Sequence, residues 1–438
     1  MEWPKSLDEY EKLVIRMNNP RVVIDNVDCA TATLVKVDSA RKDGIFLEAV
    51  QVLTDLDLSI RKAYISSDGR WFMDVFHVTD RHGQKLTDES VISYIERSIS
   101  SAGDETDPES CGLEALTNLE LVGTDRPGLL SEVIAVLTDL RCSVVEAKLW
   151  THKGRIAALI SIKDEDSGTP VEDSDKIRRI EARLRNVVRG ATTALSSSST
   201  EAAGGTRADR RLHQMMFADR DYELRGSGQP SVSVQNWAER GYSIVNVQCS
   251  DRPKLLFDVV CTLTDMKYVV FHGTIDTIGD RAYQEFYIRH SDGSPISSEA
   301  ERQRVIQCLQ AAIDRRASEG LRLELCVADP GRRLLAEATR TFRENGLSVT
   351  RAEMSTKGEI PVNVFYVTDA GGHPADRKTI EDVIKRIGAG SLKACEDRPL
   401  WTGQKRPGSD RDEPSGLLYL GNLVKRNLYN LGLIRSCS

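Results

Sequence analysis

The chain has no run of roughly 18 or more apolar residues, and its start, Met1 to Glu11, mixes acids and bases where a signal peptide would carry an apolar core. A cytoplasmic or nuclear protein without a membrane partner is the expectation. Nine cysteines stand singly, from Cys29 to Cys437, with no C-x-x-C pair, so no zinc site, redox centre or other cofactor is expected. A basic surplus is missing too. Lys and Arg number 59 against 66 Asp and Glu, a net charge of -7, which leaves no electrostatic footprint for nucleic acid. Phosphate loops of G-x-x-x-x-G-K-[ST] form, G-x-S-x-G elbows and H-E-x-x-H helices are absent, and an enzyme is thereby disfavoured.

What is present is repetition. Over 438 residues, 40% hydrophobic and 29% charged, the chain can bury real cores. The segment from Gly44 to Leu56 recurs from Gly128 to Leu140, then from Leu255 to Met266, and more weakly from Leu334 to Phe342. Apolar residues at helical spacing, such as Leu130, Val133, Ile134 and Leu137, make each copy an amphipathic helix. Before each helix lies a stretch of period two, with Val35 and Val37, Leu119 and Leu121, Val245 and Val247, Leu323 and Leu325 facing inward. After it come two strands joined by a turn and then a second helix, over about 89–99, 173–188, 299–315 and 377–387. A small residue marks the second strand (Ala63, Ala147, Gly273, Ala352) and a large one the third (Phe76, Ile160, Phe286, Phe365), as for a helix packed closely over the small position.

The order β-α-β-β-α is that of a ferredoxin-like sandwich, which normally ends in a fourth strand. No such strand is evident after Ser100 or Val188. Strand-like stretches do precede the first unit, at 20–26, and the third, at 230–236, each expected to complete a sheet within its own half. The fold expected is α+β, with four tandem ferredoxin-like (βαββαβ) units arranged as two pairs. The units span 20–101, 113–190, 230–317 and 319–390, with a linker over 191–229 and a tail over 391–438. Because Ser196 to Gly205 has linker composition, each half is expected to be a separate body whose two units pack on each other. In the linker, His213 beside Met215 and Met216 could be a metal or regulatory site, although a helix docking on the second unit is the preferred reading. Lys425 and Arg426 are too few to argue for a nuclear signal. The tail is expected to be flexible from Glu396 to Glu413 and apolar enough to dock from Leu417 to Ile434.

Between first strand and first helix the second unit reads Gly123-Thr124-Asp125-Arg126-Pro127-Gly128-Leu129-Leu130, and the third Cys249-Ser250-Asp251-Arg252-Pro253-Lys254-Leu255-Leu256. This resembles the ACT domain, a ligand-binding module of amino-acid metabolism, in the form found at the C-terminus of the bacterial uridylyltransferase that senses glutamine. Four copies, the linker from Arg211 to Glu223 and the ending Asn430 to Ser436 resemble the plant ACT-domain-repeat proteins. The resemblance implies an intracellular regulatory sensor that binds a free amino acid, with glutamine one candidate, and acts on a partner protein or as a homodimer. A nucleotidyltransferase domain is not expected, since only about 20 residues precede the first leading strand.

A helix N-terminus offers free N–H groups and a positive dipole end to a ligand carboxylate, and a glycine there lets it approach. On this basis Asp125, Arg126, Pro127, Gly128 and Leu129 form the leading candidate site, with Asp125 taking the α-ammonium group from an exposed turn. Asp43 and Gly44 in the first unit, and Asp251 and Leu255 in the third, are the corresponding candidates; the third has Lys254 for the glycine, and the fourth shifts its glycine to Gly331. The same residues would also serve a turn that merely starts a helix and binds nothing. The rival functions are therefore an interaction scaffold with empty pockets and, more remotely, an enzyme.

Overall fold

A computed structural model describes residues 20–40, 44–67, 71–100, 116–188, 192–196, 205–217, 231–316, 320–326, 333–355, 362–388 and 390–395, all within the unit Met1–Asp397. The expected tail beyond residue 395, with Lys425 and Arg426, lies outside these residues, as do Asp43 and Gly331. The first unit comprises β1 (Arg21–Asp25), β2 (Thr33–Ser39), α1 (Ile45–Asp55), β3 (Ser59–Ser67), β4 (Phe72–Thr79) and α2 (Glu89–Ser100). The second comprises β5 (Thr117–Thr124), α3 (Leu129–Asp139), β6 (Cys142–His152), β7 (Arg155–Asp164), α4 (Ser174–Val187) and β8 (Thr192–Ser196). A linker helix, α5 (Gly205–Met216), leads to the third: β9 (Ser231–Trp237), β10 (Tyr242–Ser250), α6 (Leu255–Asp265), β11 (Tyr268–Ile278), β12 (Arg281–His290) and α7 (Glu299–Arg316). The fourth holds β13 (Leu321–Cys326), α8 (Arg333–Glu344), β14 (Leu347–Ser355), β15 (Val362–Asp369), α9 (Arg377–Ile387) and β16 (Leu392–Cys395).

Each unit is a four-stranded antiparallel sheet with helices on one face. The leading strands pair with the first strands of their own units, β1 with β2 and β9 with β10. In the second and fourth units that edge is filled from the other end of the sequence, by β8 on β5 and β16 on β13. The second unit thus runs past residue 190 into the stretch assigned to the linker, and the fourth past 390. Small and large columns turn out to be cross-strand partners: Ala63 faces Phe76, Ala147 faces Ile160, Gly273 faces Phe286 and Ala352 faces Phe365. A short side chain leaves room for the long one beside it, and all eight positions are buried.

The pairing of units differs from the expected one. One eight-stranded sheet runs β1-β2-β4-β3-β11-β12-β10-β9 and joins the first unit to the third; the other runs β16-β13-β15-β14-β6-β7-β5-β8 and joins the fourth to the second. The halves are interleaved rather than separate. Both seams use the second strand, the only edge that the leading or closing strand leaves open, and both have the same register. In one Tyr64 lies opposite its own counterpart Thr274, and in the other Lys148 lies opposite its counterpart Glu353. Each seam is therefore a pseudo-two-fold contact of like with like. Units closed by a leading strand pair together, and so do units closed by a trailing one.

Helix α5 lies on the outer face of the second sheet. Its Leu212 and Met216 cover Trp150 and Ala157, and its other side meets α1 and α6 of the first sheet. The preferred reading of the linker helix holds, with docking extended to the first and third units. No helix among the described residues is long and apolar enough to cross a membrane.

Candidate ligand cleft at the seam of the second and fourth units

Gly128 stands at the head of α3 with φ of 81°, in the left-handed region that a residue without a Cβ enters freely. It has no side chain to cap the helix, so the N–H groups of the first turn remain open to an outside acceptor. The Leu129 N–H is an exception, because it donates to the Arg126 carbonyl at 3.1 Å. The open amides accordingly belong to Leu130 and Ser131, one position later than expected. Upstream, the Asp125 N–H donates to the Gly154 carbonyl at 2.8 Å, tying the mouth to the β6–β7 turn.

Asp125 is half-buried, not in an exposed turn. Burial pushes its carboxyl up to about 6, against the opposing pull of the Arg126 N–H and guanidinium. It forms no salt bridge among the described residues. Arg126 is turned to structural use: it pairs with Glu132 in the first turn of α3 and donates to the Val187 carbonyl at the end of α4 at 3.3 Å. Pro127 is exposed at the rim, and Leu129 is a core residue at 2% exposure.

The far wall comes from the fourth unit. A narrow cleft, open to solvent on one side, is lined by Asp125, Arg126, Gly128, Leu129, Leu130, Ser131, Leu149 and Ile156, and across the seam by Thr339, Phe342, Arg343, Leu347, Ser348 and Val349. Arg343 lays its methylenes against Gly128, where a Cβ would stand 2.6 Å from Cδ. Its guanidinium is 4.0 Å from Glu132. These fourth-unit residues were missed because the second unit was expected to face the first. Their signal was the seam register, legible only once two equivalent strands are placed side by side.

The other mouths differ. In the first unit Gly44 repeats the left-handed cap, at φ of 91°. In the third, burial again raises the Asp251 carboxyl, but Arg61 of the first unit opposes it from across the seam. Leu255 is buried core at 2% exposure. Lys254 turns inward to Asp209 of α5 at 2.9 Å, and Asp209 also holds Lys148 and Arg316, each at 3.0 Å. Beside it Asp258 meets His213 at 2.7 Å, Arg252 at 2.7 Å and Arg316 at 3.1 Å, while the Arg316 guanidinium lies 4.7 Å over Trp150. Burial alone would raise the Asp209 carboxyl; Arg316, Lys148 and Lys254 outweigh it and hold the group well below the carboxylate range. The third mouth is a socket for the linker helix.

Paired ferredoxin-like units, with a helix-capping cleft at their shared seam, define an ACT-domain repeat protein. Comparison with known proteins gives the same class. Residues 28–105 match the ACR family N-terminal ACT domain, 119–191 the ACT domain and 231–325 the ACR9-like, ACT-like domain. ACT domain-containing protein ACR8 of Arabidopsis thaliana is 60% identical, over 99% of each chain, and ACR4 of the same plant is 51% identical over 100% of each. A bifunctional uridylyltransferase/uridylyl-removing enzyme of Azospirillum brasilense is 24% identical over 42% of this chain and 18% of its own length. The chain belongs to the ACR family of ACT domain-containing proteins.

Proposed function

We propose that the protein is a non-catalytic sensor that takes a free amino acid into the cleft between its second and fourth units. The observation that carries this reading is Asp125: a half-buried carboxylate with no salt bridge among the described residues, beside an uncapped helix start. An α-ammonium group beside Asp125 would supply the missing cation, and an α-carboxylate would take the Leu130 and Ser131 N–H groups. The side chain would then point along Phe342 and Val349, and Arg343 would have to swing off Gly128 to admit it. Because both walls move with the seam, occupancy is coupled to the arrangement of the two units, and glutamine is the first ligand to try. A bound amino acid could thereby alter the surface offered to a partner protein.

Titration calorimetry against the standard amino acids tests the reading. One of them should bind, and Asp125→Ala should abolish binding while leaving the melting temperature of the free chain within a few degrees. No heat with any of them, or undiminished binding by the variant, would transfer the function to the scaffold reading. That second reading has its own support in the third mouth, where Lys254 and Asp209 already meet.

A further inference from the structure

The two eight-stranded sheets carry helices on one face each, and their other faces are treated differently. The outer face of the second sheet is covered within the chain by α5, over Trp150 and Ala157. Among the described residues, that of the first sheet is left bare. Seven large hydrophobic residues are exposed among the described residues, and five of them lie on the strands of this one sheet: Val23, Tyr64, Met73, Trp237 and Ile278. Tyr64 and Met73 sit at its middle, 36% and 52% exposed, and alternate with the buried Ala63, Ile65, Phe72 and Asp74 of the helix side. Towards one end Trp237 stacks on Tyr242, which in turn meets Phe271 and Tyr287.

We propose that this face is the interface between two copies of the chain, packed sheet to sheet about a two-fold axis. Size is the first argument. Eight strands about 4.8 Å apart, with about six residues of about 3.3 Å each, present roughly 760 Å². A standard protein interface takes about 800 Å² from each partner, whereas a peptide or a single helix would leave most of the face wet.

Charge is the second argument, and it selects a second copy over other partners. An isologous contact lays a surface on itself, so the surface must carry both signs in near balance. The bare face does so with charges already matched. Lys62 pairs with Asp276 across the seam at 3.4 Å, Lys36 pairs with Asp25 at 2.7 Å, and Arg21 lies opposite Asp38 in register. Aromatic rings on an open sheet could also stack nucleic-acid bases, but a stacking platform works inside a positive groove, and here the carboxylates cancel it. A strongly charged protein or lipid surface would find no net complement either.

The seam beneath the face adds a geometric reason. The first and third units meet there about a pseudo-two-fold axis through Tyr64 and Thr274, with the rings of Trp237, Tyr242, Phe271 and Tyr287 at the third unit's end and Val23 at the first unit's end. A second copy related by a two-fold axis running along the seam would lay its aromatic end on the first-unit end of its partner and bring the mid-face residues of the two copies together near the axis.

The test is sedimentation velocity on the full chain across a hundredfold range of concentration. A concentration-dependent dimer is expected. Placing a charge at mid-face in Met73→Asp or Tyr64→Asp should raise its dissociation constant at least tenfold, with the monomer's circular dichroism unchanged. Tyr94→Asp provides the control, since Tyr94 is equally open but sits on α2, on the opposite side of the sheet. It should leave the dimer intact. A chain that is monomeric throughout, or a dimer indifferent to both mid-face variants, overturns the proposal. So does protection of Met73 and Trp237 from oxidative labelling in a monomer, because something other than a second copy then covers the face. Binding of a single-stranded oligonucleotide to the monomer that Tyr64→Asp abolishes would overturn it as well.

Discussion

Lys254 occupies in the third unit the left-handed helix-cap position that Gly128 occupies in the second, at φ of 64° and 81° respectively. The backbone is shared and the chemistry has diverged. Gly128 leaves its mouth open and lets Arg343 lie across it, while Lys254 fills its mouth and holds the linker helix through Asp209. Lys254→Gly should relieve about 1 kcal/mol of backbone strain yet lose a charged bond to a buried carboxylate of about 1.5–3 kcal/mol, for a net loss of about 1 kcal/mol in urea unfolding. Gly128→Ala should cost about 1–3 kcal/mol, because the new Cβ meets both strain and Arg343. Adding Arg343→Ala should recover part of that cost. A double-mutant cycle in which the two changes simply add would show that the contact has no energetic weight.

Asp125 predicts a pH dependence of opposite sign for folding and for binding. Its carboxyl is raised from 3.8 to about 6 in the folded chain. The protonated form is thus the one that folding favours, so its contribution to stability is complete below about 3.8 and is lost as pH rises through about 6. An ammonium ligand needs the ionised form. Affinity should therefore climb as pH rises through about 6, falling about tenfold per unit well below it, with a proton released on binding near pH 5.5. Asp125→Asn should flatten both profiles. Calorimetry in two buffers of different ionisation heat measures the proton directly.

His213 places an acid-sensitive group under the linker helix. Burial pushes its imidazole below the usual 6.5, opposed by Asp258 and reinforced by Arg315 and Arg316; Lys148 and Arg252 face the same pocket, as do the rings of Trp150 and Phe257. A depressed base contributes stability that is complete above 6.5 and is lost as pH falls below it. The protection of the amides in residues 205–217, with their intrinsic exchange rates divided out, should fall between pH 7.5 and 5.5 more than that of α3. His213→Phe should cost about 1–3 kcal/mol at pH 7.5 and remove that loss of protection. An equal loss of protection in wild type and variant would place the sensitive group elsewhere.

Four-fold repetition made the units legible, because apolar alternation and helical spacing report burial within a unit. The columns at Ala147 and Ile160 were visible for the same reason: they pair inside one sheet. Strand β8 was not, since Thr192–Ser196 lies at an edge and draws its conformation from pairing with β5 rather than from its own pattern. The turn after each first helix hides a second repeat. Asp57, Arg141, Lys267 and Gly346 all have φ between 51° and 70°, but only the glycine announces it. Half of the cleft was equally hidden. Asp125 and Gly128 stand in a recognisable motif, whereas Arg343 reaches them only through a seam set by Lys148 and Glu353, two residues that nothing in their local pattern brings together.

That interleaving makes the last prediction, which concerns the cut chain. If the halves were separate bodies, a protease site inserted between Ser196 and Gly205 would release two stable fragments. Here each half carries one unit of either sheet, so separation must open β3 from β11 and β6 from β14 and pull α1 from α6 and α3 from α8. Opening them exposes two long strand edges per half, which makes the isolated halves prone to aggregate. The cut chain should therefore elute as one species at the mass of the whole. Its pieces should part only in the denaturant range where β-structure is lost by circular dichroism. Expressed alone, either half should be insoluble or form mixed oligomers, and expressing both together should restore a soluble one-to-one complex. Two soluble, monomeric halves that fail to combine would mean that the seams contribute too little to hold the units together, and the cleft between the second and fourth units could not then be a fixed ligand site.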